Sequence, residues 1–161
     1  MVPLVIVPAL LALAYQDWRS RSVSLWLLGV LELGVVLEGA RVVGFSFFLQ
    51  NWLINVAILL FQFLLLGLFF RIKEGRWVAL PGRHIGWGDI LFFLITAGAM
   101  SPLFFCWAYL GSLFFTLLGV ALVWLIKRRP AGQVPLILGT GFFFAMLFLL
   151  AWAWEVKLYG F

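Results

Sequence analysis

Six long apolar runs take up most of this 161-residue chain, and nearly all of its charge lies between them. That arrangement decides the solvent. Two thirds of the residues are hydrophobic, 11% are charged and the mean hydropathy is +1.17. A typical soluble domain carries about 25% charged residues. A chain with so little polar surface cannot cover itself in water, so its apolar side chains face lipid.

A hydrocarbon core of about 30 Å takes about 20 helical residues to cross. On that measure the runs place spans at 2–16, 24–43, 52–70, 89–100, 103–126 and 135–154, the third being the clearest and the fourth short. The runs are rich in Phe and Trp and follow neither period 2 nor a clean 3.6. That fits helices apolar on every side and not the alternating strands of a barrel. The expected fold is all-α, a polytopic membrane protein with about six transmembrane helices in a single unit over 1–161. Six spans leave no room for a soluble domain, so helices and short loops must carry any chemistry. The first run ends near Ala12-Leu13-Ala14, which looks like a cleavage site, but no basic residue precedes it; a retained first helix is expected.

Charge placement gives an orientation. Nine of the eleven basic residues fall in three loops on one side: Arg19 and Arg21; Arg71, Lys73, Arg76 and Arg83; Lys127, Arg128 and Arg129. Arg41 and Lys157 are left for the other side. By the positive-inside rule the basic side is cytoplasmic, which puts both termini outside. Basic loops beside a bilayer suit anionic headgroups, so membrane lipid is the expected partner of these charges and nucleic acid is not.

The chain has only two aspartates. Asp17 closes the first run in Tyr15-Gln16-Asp17-Trp18-Arg19-Ser20-Arg21, and Asp89 opens the fourth in Gly86-Trp87-Gly88-Asp89. They are 72 residues apart, yet the topology returns both to the cytoplasmic end. Helix rise puts Asp17 about 22 Å from Val2 and Asp89 about 17 Å from Met100, both short of a ~30 Å core, so the carboxyls are expected just below the headgroups. Two carboxyls held close share one proton, which is the chemistry of aspartyl peptide hydrolysis: one activates water while the other protonates the carbonyl oxygen. Gly86 and Gly88 leave room for a substrate backbone and permit positive φ. The plainer reading is that Asp89 starts a helix and Asp17 pairs with Arg19 or Arg21.

These segments resemble the type IV prepilin peptidase and preflagellin peptidase family of GxGD intramembrane aspartyl proteases. The second motif is matched by Gly86-Trp87-Gly88-Asp89. The first is similar to the family's aspartate followed by basic residues, here Asp17 to Arg21. A third segment, Gln133-Val134-Pro135-Leu136-Ile137-Leu138-Gly139, resembles the family's proline-containing entry to its last helix. The resemblance covers essentially the whole chain. It implies a single peptidase domain that removes the short basic leader of prepilin-like or pseudopilin-like precursors at the cytoplasmic face of the inner membrane. It implies Asp17 and Asp89 as the catalytic pair, Gly86, Trp87 and Gly88 as the active-site motif, and neither metal nor cofactor. Arg19, Arg21, Glu32, Gln133 and Pro135 are the candidate substrate or pocket contacts. The chain departs from the family at Val23, Ser24 and Leu25 after the first motif, and at Leu91 two residues after the second aspartate. With one cysteine, it looks like the small type that cleaves without methylating.

Glu32, near the middle of the second run, is expected either to face the active-site cavity or to be protonated and bonded to a neighbouring helix. Glu38 and Arg41, three apart, are expected to pair at a helix end. His84 reads as a loop residue, since one histidine without further ligands makes no zinc site. Cys106 reads as a buried structural thiol. Two rival functions remain open at this stage. One is a small transporter using Glu32, Asp17 and Asp89 as a proton or cation relay. The other is a catalytically inactive assembly subunit.

Overall fold

The structure is a computed structural model, and it describes residues 3–20, 22–75, 85–127, 136–153 and 158–159. The described residues form an all-α membrane protein of six helices and one short 3-10 turn. The helices are α1 (Pro3–Ser20), α2 (Leu25–Val43), α3 (Phe45–Glu74), α4 (Trp87–Thr96), α5 (Pro102–Lys127) and α6 (Leu136–Ala153), with the 3-10 turn Ala97–Ala99 continuing α4. Three of them, α3, α5 and α6, have stretches long and apolar enough to cross a bilayer by themselves. Their outward faces carry large exposed apolar side chains, among them Phe61, Leu64, Trp107, Leu117 and Trp152, which suits contact with lipid.

α1 lies against both α2 and α6, and α6 lies against α5. The inner face of α1 follows helical spacing, with Ile6, Leu10, Leu13, Ala14 and finally Asp17 all buried. α6 comes close to this face at Gly141, where even a Cβ would be in ordinary contact with the Leu10 carbonyl oxygen (3.4 Å) and the Ala14 Cβ (3.5 Å). A ring cluster fills the space between α4, α5 and α6. Phe92 meets Phe144 at 6.2 Å and Phe93 meets Tyr109 at 5.0 Å, both edge to face. Cys106 on α5 is half-buried where a buried thiol was expected.

α3 differs most from expectation. It starts at Phe45, seven residues ahead of the expected span, and runs 30 residues, about 45 Å at 1.5 Å per residue. The reason is Gly44. Its backbone at φ 82°, ψ 150° turns the chain within one residue, a region closed to side chains, so α2 and α3 form a hairpin with no longer loop. Glu38 does not form the expected pair with Arg41. Its Oε2 is buried without a hydrogen-bond partner and Arg41 is exposed.

α4 is only ten residues long and, even with its 3-10 turn, stops part-way along the bundle. A helix end away from water leaves carbonyls that something must satisfy. The protein supplies the donors. Trp52 Nε1 donates to Leu94 O (2.8 Å), Asn55 Nδ2 donates to Ala97 O (2.7 Å) and Met100 O (3.0 Å), and the Tyr159 hydroxyl donates to Gly98 O (2.8 Å). Replacing the fully buried Asn55 with leucine, close in size, removes two of these donors. Unpaired buried carbonyls cost about 1–3 kcal/mol each. Asn55→Leu is therefore expected to lose about 2–4 kcal/mol of stability, measured as a lower unfolding midpoint in detergent. An unchanged midpoint would show that these bonds do not hold the end of α4.

Candidate active site

One end of the bundle gathers the C-terminal end of α1 and the N-terminal ends of α2, α4 and α6, and both aspartates are there. Asp17 sits one turn before the end of α1, 7% exposed, on the face that packs against α6. Its Oδ2 accepts a hydrogen bond from the backbone N–H of Leu138 at 2.9 Å. Leu138 is the third residue of α6, one of the first-turn positions whose N–H has no partner within the helix. The carboxyl of α1 thus caps α6 from 121 residues away. A negative charge there also suits the positive end of the α6 dipole.

Asp89 is the third residue of α4 and half-buried. Its Oδ2 accepts from the Gly86 N–H at 3.2 Å, so the side chain folds back over the start of its own helix. The plainer reading of Asp89 as a helix starter therefore describes part of what it does. The charge of Asp17 also bears on Asp89, as a smaller influence than the burial of the Asp89 carboxyl itself.

The motif glycines work differently from expectation. Gly86 has φ −66° and Gly88 lies within α4, so neither uses positive φ; the positive-φ glycines among the described residues are Gly44 and Gly75. Both instead allow close approach inside the protein. A Cβ on Gly86 would stand 3.0 Å from Asp89 Oδ2, and one on Gly88 would stand 2.8 Å from Cγ2 of Val23. Gly88 is small so that the start of α4 can rest on the segment joining α1 and α2. That segment is fixed in turn by Gln16, whose Oε1 accepts from the Ser24 N–H at 3.0 Å.

The remaining candidates divide. Trp87 is 65% exposed at the start of α4, beside the pair. The Arg19 guanidinium donates to the Tyr15 hydroxyl at 3.3 Å and is exposed. Glu32 is a correction: it is exposed on α2, whose buried residues are Leu28, Leu31, Gly34, Val35 and Gly39, so it neither faces a cavity nor bonds a neighbouring helix. Arg21, Gln133, Pro135 and His84 lie outside the described residues. No three His, Cys, Asp or Glu side chains converge on a metal-sized site among the described residues.

Three participants were not foreseen from the sequence: the Leu138 N–H, Gln16 and Val23. Leu138 had a readable signal, because a helix that opens just after a proline exposes its first N–H groups to an acceptor. Val23 had none, since an apolar residue in a short loop announces no partner.

Comparison with protein-family models, curated proteins and solved structures gives no match.

The contact between Val23 and Gly88 can be tested by a double-mutant cycle. Gly88→Ala is expected to cost about 1–3 kcal/mol, because the added methyl has to displace Val23. Combined with Val23→Ala it should cost less than the two single losses together, with a coupling of about 1 kcal/mol. Unfolding midpoints of the three variants give the answer, and strictly additive losses would dissolve the contact.

Proposed function

We propose that this chain is an intramembrane aspartyl endopeptidase of the prepilin-peptidase type. In this reading it removes the short basic leader from prepilin-like or pseudopilin-like precursors, with Asp17 and Asp89 as the catalytic pair. The observation that carries the reading is the assembly of the three motif segments into one place. Asp17 of the first is bonded to Leu138 of the third, Val23 beside the first packs on Gly88 of the second, and the two carboxyls are in electrostatic reach.

The chemistry follows from two carboxyls that share a proton. A water molecule held between them gives a proton to the ionised carboxyl as its oxygen attacks the scissile carbonyl carbon. The protonated carboxyl donates to the carbonyl oxygen, producing a tetrahedral gem-diol. Collapse of this intermediate breaks the C–N bond, with a proton delivered to the leaving nitrogen and the pair returned to its shared-proton state. The pair acts as a unit, so acid and base are not divided between named residues. No cofactor enters the scheme.

The positive-inside rule places the aspartate end on the cytoplasmic side of the inner membrane, with the start of α1 and the end of α6 outside.

The test uses a synthetic precursor with a lysine-rich leader, a glycine and about twenty apolar residues, mixed with the protein in proteoliposomes. Wild type is expected to cut once, before the apolar stretch. Asp17→Asn and Asp89→Asn should each lower the rate at least about a thousandfold, as loss of a catalytic group does. Cleavage that persists in either variant sinks the assigned pair.

A further inference from the structure

Beside the aspartates lies a cavity of about 450 Å³ that the mechanism does not use. Its walls come from α3, α4, α5 and the start of α6. Its position ties it to the site. Ile85 immediately precedes Gly86, Phe93 is one turn beyond Asp89, and Leu136 is two residues before the Leu138 N–H that holds Asp17. The cavity exists because α3 leaves the bundle here: beyond Leu59, Gly67 is the only buried residue of α3. The wall residues Leu65 and Phe69 are 50% and 55% exposed, so the cavity opens toward lipid.

One polar pair interrupts the apolar lining. Tyr109 of α5, only 7% exposed, and Gln62 of α3 both line the cavity. A lipid tail gains nothing from an amide and a phenol, and burying such groups is costly. An unwound peptide at this depth needs them, because its backbone N–H and C=O groups have no water to bond. A primary amide can both give to and accept from a peptide backbone. Charge points the same way. The α3 end beside the cavity carries Arg71 and Lys73 against one acid, Glu74, so it offers a basic leader no net attraction. The binding energy must therefore come from the apolar part of the precursor.

We infer that this cavity receives the apolar segment that follows the cut, with Gln62 as a substrate-positioning residue bonding its unwound backbone. The inference rests on the peptidase reading and adds to it a docking site and a specificity determinant.

The full chain in proteoliposomes tests it with two synthetic peptides. One carries leader, glycine and apolar helix; the other stops about one helical turn beyond the cut. Gln62→Leu is expected to raise KM for the long peptide about tenfold, the scale of one lost hydrogen bond. Its kcat should stay unchanged, the short peptide should be cut at the wild-type rate, and Gln62→Asn should restore part of the loss. In an Asp89→Asn background, benzoylphenylalanine in place of Leu66 on the cavity wall should cross-link to the long peptide. The same group in place of Leu64, an exposed residue outside the cavity lining, should cross-link to lipid. Equal loss of kcat on both peptides, or cross-linking to lipid alone from position 66, overturns the docking site. If wild type still cuts the long peptide, the peptidase reading stands without it. A wild-type protein that cuts neither peptide removes both.

Discussion

Backbone polar groups away from water must find partners inside the protein, and this chain meets that demand with side chains at the helix ends. The two aspartates are the sharpest cases. Asp17 bonds a first-turn N–H of α6, and Asp89 bonds the N–H at the entry to α4. At the far end of α4, Trp52, Asn55 and Tyr159 take the carbonyls that a broken helix leaves behind. The half-length helix α4 is possible only because both of its ends are held. Its shortness is also what lets a carboxyl enter the bundle from one end without a full crossing behind it.

Structural and catalytic readings of the aspartates are therefore not alternatives. A carboxylate offers two oxygens with about four lone-pair sites, more than a single cap bond takes up. Capping fixes the orientation of a group that chemistry then needs in a fixed orientation. A hydrogen bond to α6 makes Asp17 a reporter of where that helix begins, so a shift in the entry to α6 is felt directly at the pair.

The fold was legible because lipid writes it in composition. The long apolar runs and the loops between them survive as helices and connections, and the extended start of α3 was missed only because Gly44 replaces a loop with a single residue. The site was legible in its order of motifs, and less so in its contacts. Glu32 shows why. α2 is apolar nearly all round, so no stripe in the sequence tells which side faces the bundle, and the carboxyl turned out to be exposed. The glycines show the converse: their smallness was read correctly and its use was not, since Val23 and the Asp89 side chain occupy the space kept for a substrate. Gln62 went unnoticed because an amide in a long apolar helix acquires meaning only when the fold sets it in a cavity wall with Tyr109.

Recognition by such a site cannot follow the usual rule for charged substrates. On the proposed peptidase reading, each basic loop on the aspartate side also repels a basic leader, and screening at physiological salt weakens that repulsion beyond about 8 Å without reversing it. Attraction has to come from the membrane-embedded part of the precursor, which is held at the same depth as the aspartates before any contact is made. Confinement to the bilayer supplies the encounter, and the apolar cavity supplies the register. On the proposed peptidase reading, the leader then needs only to cross the carboxyl pair. On this account a precursor is selected by where its apolar helix begins, and the sequence of its leader matters less.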